Sequence, residues 1–418
     1  MFESQIIKRA WFHVVTGAVN GARRELADIA LDIHAHPETN YQEYHAAAVL
    51  SDTLEKHGFS VERGSGGVET AFRATLEGGA GDGPAVAILA EYDALPDLGH
   101  GCGHNLIAMT AIGAGLGVQA ALGSLPGRVI VLGTPAEEGG GGKIRLLEAG
   151  AFQGIAAVLM SHPGGHRTVI RTDVPMEESW NLAMVGFRYC FYGKAAHAAN
   201  VPHEGINALN SVIQLFVGID AIRQHLREDV RINGIITDGG KAPNIIPEFA
   251  AADFMLRSRD HIYLRNEVVR KVNDVAEAGA RTTGSRLEIL PLYPFYETTR
   301  PNTALARAAL LNAGRADLQV DPPAPGGQSK AVSTDAGNVS QLIPTFTLPF
   351  AVSREPVAIH SKALAEAARS EFALNIALAV GKTLALTACD LLAEPHLLAD
   401  AWKEFEERGK CLSNRSKD

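Results

Sequence analysis

The chain has 418 residues, 46% apolar and 20% charged, too many for one compact core, so at least two domains are expected. A net charge of −9 and the lack of a basic run speak against a nucleic-acid partner. Residues 1–20 carry Glu3, Lys8 and Arg9 and no continuous apolar core, unlike a signal peptide, and without an unbroken run of about 18 apolar residues no membrane span is expected.

Residues 20–35 and 43–57 read as helices, the second ending at Gly58. Apolar runs then alternate with helical stretches: AVAILA at 85–90, a helix after His104, RVIVLG at 128–133, a helix from about Lys143, and AAVLMS at 156–161. Short buried strands separated by helices predict an α/β domain with a mainly parallel central sheet. Functional residues of such sheets gather beyond the strands' carboxyl ends, where Asp93, Glu137, Glu138 and His162 are expected.

Near residue 178 the pattern changes. A strand at 181–193 is followed by a helix at 205–227, with Ile206, Leu209, Ile213, Phe216 and Ile219 on one face. Strands at 231–237 and 248–259, a helix at about 262–282 and the strand RLEILPLY complete the order βαββαβ, a ferredoxin-like unit. We place it as an insertion at 179–294, between 1–178 and a returning 295–418 whose long apolar helix (about 361–391) packs on the first sheet. DPPAPGGQSK at 321–330 reads as a loop. GAGLG at 113–117 suits close helix packing, and EEGGGGK at 137–143 lacks the first glycine and the Ser/Thr of a phosphate loop, so neither is read as a nucleotide site.

Four segments carry chemistry. GHGCGHN (99–105) sets Cys102 and His104 in a glycine-rich loop, where thiolate and imidazole suit a zinc-like ion; a nucleophilic Cys–His pair and a buried structural pair are the alternatives. GTPAEEGGGG (133–142) adds Glu137 and Glu138. In an extended segment the two would point in opposite directions, one to a metal and one to the reacting water; the other reading is an acid-decorated helix start. MSHPGGH supplies His162 and AIHSKAL supplies His360, although a lone histidine is more often structural. One thiol, three imidazoles and a carboxylate suit two ions better than one, and a bimetallic site is a usual tool for hydrolysis. The remaining cysteines, Cys190, Cys389 and Cys411, are scattered without a disulfide framework, and a cytoplasmic protein with reduced thiols is expected.

The segments EYDALPDLGHGCGHN, TPAEEGGGG, GKAAHAANVPHEGINAL, GGKAPNIIPE and IHSKAL, in this order over nearly the whole chain, resemble the M20 family of metallopeptidases and amidohydrolases. The similarity is greatest to its aminoacylase-like branch, with aminobenzoyl-glutamate hydrolase subunits and related dipeptidases. The resemblance implies an α/β metallopeptidase catalytic domain with an inserted dimerisation domain. It implies Cys102, His104, Glu138, His162 and His360 as ligands of two divalent metal ions, zinc first, with manganese or cobalt as alternatives. Glu137 matches the general base, and Asp93 matches a supporting acid. His197 matches a histidine that reaches the developing oxyanion across a dimer interface; read alone, it is a polar surface residue. Asn244 and Arg257 match positions that bind the product carboxylate.

Two departures bear on this. Glu91 stands where other branches carry a metal-binding histidine, and Asn105 stands where plant auxin-conjugate hydrolases carry an acid, which leaves the substrate more open than the mechanism. The expected activity is metal-dependent cleavage of an N-acyl amino acid, an aminobenzoyl-glutamate-like conjugate or a dipeptide by a homodimer. The competing expectations are a thiol hydrolase using Cys102 and a non-catalytic or partner-dependent subunit.

Overall fold

The computed structural model describes residues 11–323 and 332–415, with side chains through 412. The strands among the described residues are β1 (Ser60–Arg63), β2 (Phe72–Glu77), β3 (Ala85–Ala90), β4 (Arg128–Gly133), β5 (Ile155–Pro163), β6 (Ala183–Tyr192), β7 (Arg231–Asp238), β8 (Phe249–Ser258), β9 (Arg286–Tyr296) and β10 (Thr345–Phe350). The described residues within Met1–Glu178, Arg300–Gln328 and Asn338–Asn414 form one compact unit, and those within Ser179–Thr299, Ser329–Gly337 and Arg415–Asp418 form another.

The first unit is built on a six-stranded sheet in the order β1-β2-β4-β3-β5-β10. β4, β3, β5 and β10 run parallel, and the antiparallel β2 and β1 extend the β4 side. All six residues of β3 are buried, because the central strand is covered on both faces, and this is why AVAILA shows no polar alternation. Helix His104–Leu122 packs against helix Glu371–Ala393 through glycine. A Cβ on Gly117 would lie 2.7 Å from the Cβ of Ala385, and one on Gly115 would lie 2.8 Å from a Val131 methyl. GAGLG thus works as a packing surface. By length and composition these two helices could cross a membrane, which a search for unbroken apolar runs passes over; 89% and 83% of their apolar windows are buried inside the protein.

Some boundaries differ from expectation. The helix expected at 20–35 is Arg23–Ala35, and a helix that the sequence reading did not identify, Phe12–Gly21, precedes it across Ala22. The helix expected at 361–391 is Lys362–Ala367 followed by Glu371–Ala393, the second restarted by the Ser370 side chain accepting from the Ala373 N–H. β1, β2 and β10 are strands that the sequence reading did not identify. Of the loop expected at 321–330, residues 324–330 lie outside the described residues.

The second unit has the order βαββαβ and an antiparallel sheet ordered β7-β8-β6-β9, the ferredoxin-like arrangement. Helices Ala208–Ile222 and Val269–Thr283 pack together over a core that includes Tyr189, Phe191, Leu215, Phe254 and Val272. The buried side of Ala208–Ile222 is Ala208, Ser211, Val212, Leu215 and Ile219, a different stripe from the expected one. The helix is apolar on two sides, and packing on the sheet selects one. Ile213 and Val217 are left 47% and 64% exposed.

Candidate functional site

Beyond β3, the buried carboxylate of Asp93 holds two elements at once. Its Oδ1 lies 3.0 Å from His104 Nδ1, and its Oδ2 accepts from the Glu138 N–H at 2.9 Å. His104 opens helix His104–Leu122 directly after Gly103, whose φ of 80° suits a residue without a side chain; a Cβ there would meet Pro163 Cγ at 2.8 Å. With Nδ1 donating to Asp93, His104 is left with Nε2 as its second ring nitrogen, a buried atom with no hydrogen-bond partner. Asp93 and His104 reinforce each other's charge. Burial opposes ionisation in both, yet the pairing holds Asp93 below and His104 well above the ordinary range.

After β4 the chain does not stay extended, which corrects the expected geometry of the two glutamates. Ala136 takes φ 59° and residues 137–140 form a turn, with Gly139 N–H donating to Glu137 O at 2.7 Å. A Cβ on Gly142 would strike the Pro135 carbonyl, so glycine is required where the chain folds back. The turn brings both carboxylates to the same place: one ligand atom each from His104, Glu137 and Glu138 lie within 4.8 Å of one another.

His162 lies within β5, near its end, rather than beyond it. Its Nδ1 donates to the Pro163 carbonyl at 2.9 Å, leaving Nε2 to face Cys102 Sγ at 3.7 Å. His360 has φ 55°, a strained value for a non-glycine residue, and its N–H donates to Gly101 O at 3.0 Å, tying it to the Cys102 loop. Its Nε2 stands 3.2 Å from Glu138 Oε1, and that carboxylate raises the imidazole's pKa. Two further groups close within 4.8 Å: Cys102 with His104 and His162, and Cys102 with Glu138 and His360. The structure therefore brings together Cys102, His104, Glu137, Glu138, His162 and His360, with Asp93 behind them.

This donor set can hold metal ions. Imidazole nitrogens, a carboxylate and a thiol converge, and the unpartnered His104 Nε2 lies in the group; a bound ion would take the place of the imidazole proton there. As an unaided nucleophile Cys102 is poorly placed, because burial pushes its thiol well above the ordinary value, opposite to what a reactive thiolate needs.

The sequence reading missed a buried ion pair, Lys143 Nζ to Glu91 Oε1 at 2.7 Å, whose carboxylate also reaches within 3.7 Å of His104 Nε2. It missed Glu43 as well, which accepts from the Ala136 N–H at 3.0 Å and whose pKa burial and Asp93 raise to about 7. A lysine in the first turn of an apolar-flanked helix was the available sign of the first. Glu43 carries no comparable sign.

His197, Asn244 and Arg257 lie in the second unit. Ala198 N–H donates to Asn244 O at 3.1 Å, and His197 bridges Ile245, so His197 and Asn244 sit on paired segments, both exposed. His197 Nδ1 accepts from the Ala199 and Asn200 N–H groups, each at 3.2 Å, which leaves Nε2–H as a donor. Arg257, on β8, has its guanidinium on Met255 Sδ at 3.0 Å, with no carboxylate in ion-pair range among the described residues.

Comparison with known proteins bears on this arrangement. Residues 182–283 match a peptidase dimerisation domain of the M20 type. The chain is 36% identical to a Xaa-Arg dipeptidase from Mus musculus over 93% of this chain and 90% of that one. It is 28% identical to a p-aminobenzoyl-glutamate hydrolase subunit from Escherichia coli (strain K12), over 95% of each chain. Its fold is similar to a dinuclear metal-binding peptidase of the M20 family from Bacillus subtilis, with a TM-score of 0.65 and 22% identity over 89% of this chain and 99% of that one. With the dipeptidase alignment spanning both units, this chain belongs to the M20 peptidase family and is a hydrolase acting on amide bonds.

Proposed function

We propose that this hydrolase is metal-dependent and cleaves dipeptides, N-acyl amino acids or aminobenzoyl-glutamate-like conjugates that end in a free carboxylate. The observation that carries the reading is that Cys102, His104 and His162, and again Cys102, Glu138 and His360, each bring their ligand atoms within 4.8 Å of one another. Cys102, His104, Glu138, His162 and His360 would hold two divalent ions, zinc by preference of thiolate and imidazole, with manganese and cobalt as alternatives. The Bacillus relative, described as dinuclear, supports the count. Bound there, the ions would polarise the scissile carbonyl and acidify a water.

The chain's own groups do the rest. Glu137 takes a proton from the attacking water and returns it to the leaving amine. Asp93 fixes the His104 tautomer and, through the Glu138 N–H, the turn that carries both glutamates. Reaching across a dimer interface, His197 would donate from Nε2 to the developing oxyanion, and Arg257 with Asn244 would receive the carboxylate. The dimerisation-domain match supports a homodimer. So do Ile235 and Ile236, 65% and 47% exposed on the edge strand β7, together with Ile213 and Val217. The four free cysteines support a reducing, cytoplasmic setting.

The test is amine release from a panel of dipeptides, N-acyl amino acids and aminobenzoyl-glutamate, with chelator and then with metal restored. Chelator-sensitive cleavage that returns with Zn²⁺, Mn²⁺ or Co²⁺ is expected. Chelator-resistant turnover in protein free of metal by elemental analysis would overturn the reading. Metal-loaded protein inert on the whole panel would point to a second, unlike subunit.

A further inference from the structure

The turn that carries Glu137 and Glu138 is gripped from one side by residues 40–43, just ahead of helix Tyr44–Lys56. Asn40 Nδ2 donates to the Glu138 carbonyl at 3.2 Å, and Tyr41 Oη donates to the Gly140 carbonyl at 2.6 Å. Glu43 Oε1 accepts from the Ala136 N–H at 3.0 Å. Main-chain groups before, within and after the working pair are each tied to this one segment. The segment is itself braced: Glu43, fully buried, accepts from the Tyr41 N–H at 2.9 Å and from Thr70 Oγ1 at 2.9 Å. The Thr70 carbonyl accepts in turn from Tyr92 Oη at 2.6 Å, next to Asp93. The Tyr41 ring lies under the Arg145 guanidinium, 4.3 Å away, and its Cε2 lies 2.8 Å from where a Cβ on Gly140 would be.

Such a grip has something to resist. Ala136 at φ 59° and Tyr41 at φ 60° occupy a left-handed conformation that L-residues avoid, and such values persist only where the surroundings over-determine them. Released, the turn would relax toward ordinary dihedrals and carry both carboxylates with it. The geometry points to Asn40, Tyr41 and Glu43 as positioning residues that hold the Glu137–Glu138 turn in its working form. This rests on the reading of Glu137 as base and Glu138 as ligand. The three residues act through the main chain of the turn.

The test compares Tyr41→Phe, Glu43→Ala and Glu43→Gln in metal-saturated protein. It measures kcat and KM and, separately, amide hydrogen exchange across residues 136–142. Glutamine keeps an acceptor for Ala136 N–H and can donate to Thr70 Oγ1, whereas alanine keeps neither. Displacement of a catalytic group on the order of an ångström costs about 100-fold in rate, so Glu43→Ala is expected to lose about that in kcat, with KM within about twofold. Tyr41→Phe removes one tie and loses about tenfold, while Glu43→Gln recovers most of the turnover. Exchange across 136–142 should quicken in Glu43→Ala and Tyr41→Phe. Unchanged kcat in both variants would overturn the proposal, as would a lower melting temperature with no loss of turnover. Glu137→Gln separates the two readings. If it keeps full turnover, the assignment of the base fails; if it is crippled while Glu43→Ala is not, only the positioning role fails.

Discussion

Glu43 gives the most quantitative test of the electrostatics around the site. It is fully buried, and burial together with the neighbouring Asp93 raises its pKa from the ordinary 4.5 to about 7. Between those values the folded chain keeps a proton that the unfolded chain has released. The contribution to stability is therefore fully present below pH 4.5 and lost as the pH rises through 7. The separation is worth about 3 kcal/mol. Glu43→Gln mimics the protonated acid and cannot ionise. The variant should match the natural chain at low pH and exceed it by about 3 kcal/mol near pH 8.5. Urea titrations across this range, with the same metal added to both proteins, read the difference. In a Trp180→Phe background the reporters are Trp11 and Trp402, both in the first unit, where Trp402 Nε1 donates to Ala156 O at 3.0 Å. A difference that stays constant across the range to within about 0.5 kcal/mol would show that Glu43 ionises as an ordinary carboxylate, and the reasoning would fail.

Glu137→Gln should lower kcat by about 10² to 10⁴ while leaving bound metal unchanged by elemental analysis, and a loss under tenfold would remove Glu137 as the base. Arg408 is buried, with Nε 2.8 Å from Glu404 Oε1 and its terminal nitrogens on the Val174 and Pro175 carbonyls; Arg408→Ala should cost about 3–5 kcal/mol, read as a large drop in melting temperature. Val217→Asp, on the exposed apolar side of Ala208–Ile222, should shift sedimentation toward the monomer, and an unchanged sedimentation coefficient would take that face out of the interface.

Much of this was legible in the chain because the relevant signals are local. AVAILA and RVIVLG are buried on both faces and read as central strands, and the βαββαβ order follows from apolar runs alternating with helical periodicity. Cys102, His104 and Glu138 stand in glycine-rich segments whose backbone needs the glycines, as at Gly103 and Gly142. What the chain hid depends on distant contacts. Ser60–Arg63 and Phe72–Glu77 are short strands that exist by pairing across to β4, and the inward face of Ala208–Ile222 is chosen by the sheet beneath it. The side-by-side placement of Glu137 and Glu138 follows from one positive φ at Ala136. That backbone is held by Glu43, 93 residues earlier in the chain, a distance across which no local pattern speaks.

The central claim is that amide hydrolysis by this chain requires metal held by Cys102, His104, Glu138, His162 and His360. The direct measurement strips the protein with chelator, returns Zn²⁺ in steps, and follows bound metal and amine release from the best dipeptide or N-acyl amino acid together. The account predicts an inactive stripped protein whose turnover rises with bound metal and levels off near about two ions per chain, with Cys102→Ser failing to reach that level. Full turnover at less than about a tenth of an ion per chain would contradict it.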